Sequence, residues 1–460
     1  MTERRNTYTA VLFLAGLFAG AVFLCLGLLP EVGGFTHVRR PETQVPSAVT
    51  LSVEEAETAP RRTVERAIRS TLPLSAKLPD AQEAGETLET AIDGSESAVN
   101  TLLDRNHTFI ELYGGAQRLL GRRSIEDAEA KYTVVRMDNG LLTFASPADT
   151  QTDMAVKARE MTAFARRVRR EQDIPVLYVQ APSKLDVGSL PQGVENYADA
   201  EADQFLSLLG RAGVDTLDLR PLFRQAAQED PKEALSLFFR TDHHWTPQGA
   251  FLGFQAIGKK LAEDYGFSVN EEYLDETNYD KYVLEGRFLG SQGKRVGSLY
   301  AGVDDVEIWA PTFSTDFTYT VPMSGIKREG PFAVSLLFPE QLADEGSLYD
   351  TNPYTVWSGG DFILARAENR KDPDAPRILI LRDSYGCALT PFLSLLGSET
   401  MAMDPRLFNG DQDEMLEYID WLDPDLVIVL NTTSSLRVDT LFPYLPTSRA
   451  AVLAEREEAE

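Results

Sequence analysis

The chain has 460 residues, 43% hydrophobic and 9% aromatic, which is enough for a globular body with a sizeable core. A formal net charge of -27 argues against nucleic acid or anionic lipid head groups as main partners, because both are polyanions. Two cysteines, Cys25 in an apolar run and Cys387 in the body, exclude a disulfide framework.

Tyr8 to Pro30 carries no charged residue and is long enough to cross a bilayer as one helix. Arg4 and Arg5 precede it, which favours a cytoplasmic N-terminus. The alternative is a cleaved signal peptide, but the apolar run is longer than a usual signal core and no A-x-A site follows it. The expectation is a single-pass cell-membrane anchor within residues 1–30, entering the membrane through residues 8–30, with the body extracytoplasmic. Residues 31–98 are rich in Pro, Thr, Ala and Glu, and Pro41, Pro46, Pro60, Pro73 and Pro79 break up any long helix, so this stretch is read as a spacer.

From residue 99 the composition is globular, and one domain is predicted over 99–445, with an acidic tail at 446–460. Phe109–Gly115 and Tyr132–Arg136 read as short strands or an entry module, and Asp138-Asn139-Gly140 as a turn into a strand at Leu141–Phe144. An amphipathic helix is predicted over 153–171 and a buried strand over Ile174–Gln180. A helix over 199–212 and a strand at Asp215–Leu219 follow. Thr246 suits a helix N-cap and Pro247 a first helical position, and Ala250, Phe251, Phe254, Ile257 and Leu261 recur at helical spacing behind them. Residues 267–375 break the rhythm with aromatics and alternating stretches such as Phe317–Val321; they read as an inserted, partly β region, either a substrate wall or extra packing. Arg377–Leu381 and Asp425–Leu430 are further buried strands, separated by a helix near Leu389–Leu396 and another over 411–422. Alternating strands and helices predict an α/β fold with a parallel sheet flanked by helices, whose sites form at the carboxyl ends of the strands.

Thr241-Asp242-His243-His244-Trp245-Thr246-Pro247 holds two of the four histidines and lies on the loop entering a helix. Ser384 follows a buried strand on a tight turn. A serine hydroxyl becomes a good nucleophile once a base takes its proton, and a carboxylate on the far nitrogen of a histidine fixes the tautomer that does so. In an extended segment Asp242 and His244 point the same way and His243 the other. Ser384, His244 and Asp242 are therefore the candidate catalytic residues. Gly386, Asn431, Lys184, Arg382 and His243 are candidates for oxyanion or substrate binding. A zinc or iron site on Asp242, His243 and His244 is the rival chemistry. Adjacent histidine side chains diverge, His37 and His107 lie outside the inferred core, and there is no Cys cluster, so neither metal nor other cofactor is expected.

The motifs resemble the DHHW family. Thr241–Ala250 matches the signature that names it, and Arg382–Gly386 with Pro391-Phe392-Leu393 matches its serine block. Asn106–Gln117 with Phe109, Tyr113 and Gly114, Pro182 with Lys184, Gly290-Ser-Gln-Gly, and Asp425–Asn431 resemble further blocks, so the resemblance spans residues 99 to about 435. That family is similar to the SGNH-hydrolase-like proteins of alginate O-acetylation. The resemblance implies an SGNH-hydrolase-like sheet, with Ser384 as nucleophile, His244 as base and Asp242 as its partner. It also implies an extracytoplasmic O-acetyltransferase acting on a cell-surface or exported polysaccharide, with a multi-pass membrane O-acyltransferase supplying the acyl group. An acetyl esterase using the same three residues, or a non-catalytic polysaccharide-binding protein, are the competing readings.

Overall fold

The computed structural model describes residues 107–126, 132–147, 152–342 and 347–459. The anchor at 1–30 and the spacer at 31–98 lie outside them, and no helix among the described residues is long and apolar enough to cross a membrane. In chain order, helix α1 (His107–Leu119) precedes an antiparallel ribbon of β1 (Ser124–Glu126), β2 (Thr133–Arg136) and β3 (Leu142–Phe144). Then come α2 (Met154–Gln172), β4 (Val176–Gln180), α3 (Ala198–Arg211), β5 (Asp215–Asp218), α4 (Arg220–Glu229) and α5 (Pro247–Asp264). The middle stretch holds β6 (Tyr279–Phe288), α6 (Ser291–Val296), α7 (Ser298–Ala301), β7 (Asp304–Pro311), β8 (Phe317–Val321), β9 (Ile326–Gly330), α8 (Phe332–Ser335) and β10 (Ala365–Asn369). The chain continues through β11 (Arg377–Arg382), α9 (Gly386–Leu393), β12 (Glu399–Met403), α10 (Gln412–Leu422), β13 (Leu426–Asn431) and α11 (Pro446–Ala459).

The main sheet has eight strands in the order β5-β4-β13-β11-β12-β10-β8-β9. The first five run parallel; β10, β8 and β9 join antiparallel. The predicted parallel sheet is thus mixed, because three strands of the 267–375 stretch extend its edge, while β6 and β7 pair separately. Strands β11 and β13 read as continuous apolar runs because both faces are covered. Ile378, Ile380, Leu426, Ile428 and Leu430 meet α5 and α9 on one side; Leu379, Leu381, Val427 and Val429 meet α2, α3 and α10 on the other.

Local signals start the helices where expected. Asp153 caps α2 by accepting from the Ala155 and Val156 N–H groups, and Thr246 caps α5 by accepting from Gly249 N–H, with Pro247 at the first position. One reading is corrected: Phe109–Gly115, read above as a short strand or an entry module, is part of helix α1. Two successive glycines weigh against a helix by propensity, but a side chain at Gly114 would lie 1.7 Å from the Val296 carbonyl oxygen, so close packing against α6 selects glycine there. The acidic stretch after Leu445 forms α11, which lies on α2: Thr447 donates through N–H and hydroxyl to Glu160, and Val452 is buried.

Helices α5 and α9 pack on each other. The Phe392 ring lies 5.3 Å from Phe251 and 5.8 Å from Phe254. His244 and Ser384 stand just before the first turns of these two helices, so this contact sets their separation.

Candidate active site

The Asp-His-His-Trp segment is the tip of a narrow loop. Phe238 and Trp245 form an antiparallel bridge, and Arg240 to His244 make a bend rather than an extended run. Thr241 is fully buried at its base: its N–H and hydroxyl both donate to Asp304, each at 2.7 Å, and its hydroxyl accepts from Gly290 N–H at 2.8 Å. Gly290 is required there, since a side chain would lie 2.1 Å from Asp242 Cβ.

This scaffold brings Asp242, His244 and Ser384 together. His244 Nδ1 is hydrogen-bonded to Asp242 Oδ1, and His244 Nε2 lies 2.7 Å from Ser384 Oγ. The second carboxylate oxygen accepts from Ser291 N–H at 2.6 Å. Burial alone would raise the Asp242 pKa, but His243, His244 and these donors hold it well below the ordinary carboxylate value. An ionised Asp242 places the imidazole proton on Nδ1 and leaves Nε2 free to accept from Ser384. The His244 ring is clamped between Tyr354 and His243, with both ring centroids at 3.8 Å. Ser384 itself is only partly buried. It follows β11, beside the ends of β13 and β4, so the three side chains meet at the carboxyl edge of the parallel strands.

Residues 230–398 match the DHHW protein family, and residues 142–283 match the SGNH hydrolase-like domain of the acetyltransferase AlgX. Over these stretches the chain is similar to DHHW proteins and to SGNH hydrolase-like domains. The alginate biosynthesis protein AlgX of Pseudomonas aeruginosa is 29% identical to it over 168 residues, 34% of either chain, so the chain spans about a third of that relative's length. The structure of Bacillus cereus PatB1 superposes with a TM-score of 0.56 at 21% identity, covering 68% of this chain and 99% of that one. PatB1 with a sulfonyl adduct superposes at 0.53 and 20% identity, covering 67% and 96%. These superpositions show a shared fold.

The remaining candidates separate by what already holds them. Gly386 N–H donates to the Asp383 carbonyl at 3.0 Å, so it is not a free oxyanion donor. Its glycine identity answers packing, because a Cβ there would lie 2.2 Å from Arg382 Cδ. Arg382 is turned into the interior, paired with Asp361 and donating to Gly360 O at 3.0 Å, and does not face the serine. Lys184 is buried and gives its three donors to Leu142 O, Arg240 O and Gln292 Oε1, tying β3 and α6 to the base of the Asp-His-His-Trp loop. Asn431 is buried at the end of β13, one register step beyond Leu430, which pairs with Arg382; its Oδ1 has no hydrogen-bond partner. Ser384 N–H donates to no protein acceptor among the described residues.

His243 does not point away from His244, because the segment bends. It stacks beside that ring, and its Nδ1 lies 2.8 Å from Ser291 Oγ. Surrounding protein and the neighbouring His244 push its pKa down. Ligand atoms of Asp242, His243 and His244 fall within 4.8 Å of one another, closer than divergent side chains would place them. Both oxygens of Asp242 and both ring nitrogens of His244 are nonetheless engaged by Ser291, each other and Ser384, so a metal there would displace the serine relay.

Sequence reasoning missed Tyr354, Asp304 and Asp383. Tyr354 and Asp304 reach the site from the middle stretch with no motif around them. Asp383 accepts from Tyr385 N–H, Thr432 N–H and Ser435 hydroxyl, joining the loops after β11 and β13. Ser291 carried a signal, the Gly290-Ser-Gln-Gly block.

Proposed function

We propose that this chain is an O-acetyltransferase that carries an acetyl group on Ser384 to hydroxyls of a cell-surface or exported polysaccharide. The carrying observation is the hydrogen-bonded series Asp242–His244–Ser384, whose aspartate and histidine fall in the stretch matching the acetyltransferase AlgX and whose serine falls in the DHHW match. Ser384 Oγ attacks the acetyl carbonyl of the donor while His244 Nε2 takes its proton. The leaving group then departs with that proton. A sugar hydroxyl attacks the acetyl-serine in turn, passing its proton to His244, and the ester transfers with Ser384 restored. The unengaged Ser384 N–H is the backbone donor for the oxyanion, in place of Gly386 N–H.

The donor in this proposal is a multi-pass membrane O-acyltransferase that hands the acetyl group across the bilayer. The apolar run at 8–30 would hold the catalytic body beside it on the extracytoplasmic side. The test uses p-nitrophenyl acetate and intact-mass measurement. Wild type is expected to release a burst of p-nitrophenol and to gain one acetyl group on the peptide containing Ser384. Ser384→Ala should lose at least about 10³-fold in turnover with its fold intact. Full turnover by a folded Ser384→Ala protein would sink the proposal.

A further inference from the structure

Beside the three side chains lies a cavity of about 80 Å³. It is lined by His243 and Tyr385, the chain neighbours of His244 and Ser384, so it opens at the same edge of the sheet as the reacting serine. Such a volume is room for several waters, or for one edge of a sugar ring. Apart from Lys184 and His243 its polar lining is hydroxyl and amide, among them Ser183, Asn196, Gln292, Thr432, Thr433 and Ser434, with the Phe144 ring as an apolar wall.

Two observations make this more than a crevice. Gln292 is only 1% exposed; its Oε1 is taken by Lys184, while its Nε2 donates to no protein acceptor among the described residues. An amide N–H in a lining side chain that no protein acceptor takes is available to a ligand hydroxyl. Asn196 likewise uses its Oδ1 on Ala198 N–H and keeps its Nδ2 donors unspent on protein among the described residues. Among the described residues the cavity also lacks a free cation. Among the described lining residues Lys184 is the one lysine and there is no arginine; the lysine's three donors are committed to Leu142 O, Arg240 O and Gln292 Oε1, and burial and His244 push the His243 pKa down. A carboxylate entering would be stripped of water with no unspent cationic donor to meet it.

We infer that this cavity is the acceptor subsite and that it takes an uncharged sugar, read through its hydroxyls, rather than a uronate. The inference rests on the acetyl-transfer reading for its purpose, but binding tests it separately. The full chain bearing Ser384→Ala is titrated by calorimetry and by NMR with neutral tetrasaccharides of glucose, mannose, galactose and N-acetylglucosamine. Uronate tetrasaccharides matched to the hexose series are titrated alongside. At least one neutral oligomer is expected to bind, tenfold or more tighter than its uronate counterpart. Gln292→Leu should weaken that binding about tenfold. Because Gln292 also holds Lys184, Thr433→Val, which leaves Lys184 untouched, is the second variant and should weaken it too. Failure of every neutral oligomer to bind, tighter binding of a uronate, or binding unchanged in both variants overturns the inference. A wild type that binds neutral sugar yet gives no acetyl burst would leave the subsite standing and remove the transferase reading.

Discussion

In the proposed mechanism Asp242 is the residue on which the chemistry turns. One of its oxygens holds the His244 ring proton and the other accepts from Ser291 N–H. In Asp242→Asn only one acceptor oxygen remains. When it faces Ser291, the amide NH₂ faces Nδ1 and drives the imidazole proton to Nε2, where it blocks acceptance from Ser384. The expected outcome is a fall in kcat of about 10⁴-fold with little change in KM, measured on the p-nitrophenyl acetate reaction. The pairing of Asp242 with His244 was legible from their spacing, but the reason was not. The segment bends, and His244 backbone N–H also donates to the Asp242 carboxylate at 3.1 Å. His243 shows the cost of assuming an extended strand: the same bend brings it alongside His244.

At the scale of elements, two devices hold the serine and the histidine in register. The first is the aromatic contact between α5 and α9. Phe392 meets Phe251, Phe254, Tyr279, Trp309 and Phe332 and is nearly fully buried. Phe392→Ala is expected to cost about 3–5 kcal/mol in chemical denaturation and to lower activity in the fraction that stays folded. The second is Lys184, whose pKa burial lowers from 10.5 to about 7. Between those values the unfolded chain binds a proton the native state has lost. Stability therefore rises with pH across that window, and the penalty for the buried charge is felt in full below it. Lys184→Met should abolish this rise, read as the urea midpoint at several pH values. The strands and helices around these devices were legible as apolar runs and caps. Strands β10 and β12 were not, since Ala365–Asn369 and Glu399–Met403 become strands through the neighbours they pair with.

For the molecule as a whole, the sheet separates chemistry from support. The cluster of α2, α3 and α10 with the α11 segment lies on one face, and the site lies at the carboxyl edge. Removing residues 446–460 should lower stability by about 1.5–3 kcal/mol, from loss of the buried Val452 and the Glu160 contacts, while kcat of the folded protein stays unchanged. Differential scanning calorimetry beside the burst assay checks both halves. One part of this molecule is carried by local pattern along the chain. Continuous apolar runs specify strands covered on both faces, Thr246-Pro247 specifies a helix start, and scarce histidines beside an aspartate specify where to look for a base. Only the tertiary structure decided which donors are already spent, because hydrogen-bond occupancy depends on groups distant in the chain. That removed Gly386 and Arg382 from the oxyanion, brought Tyr354 to the His244 ring and Ser291 to Asp242 and His243, and left a cavity beside the serine whose described lining holds no free cation.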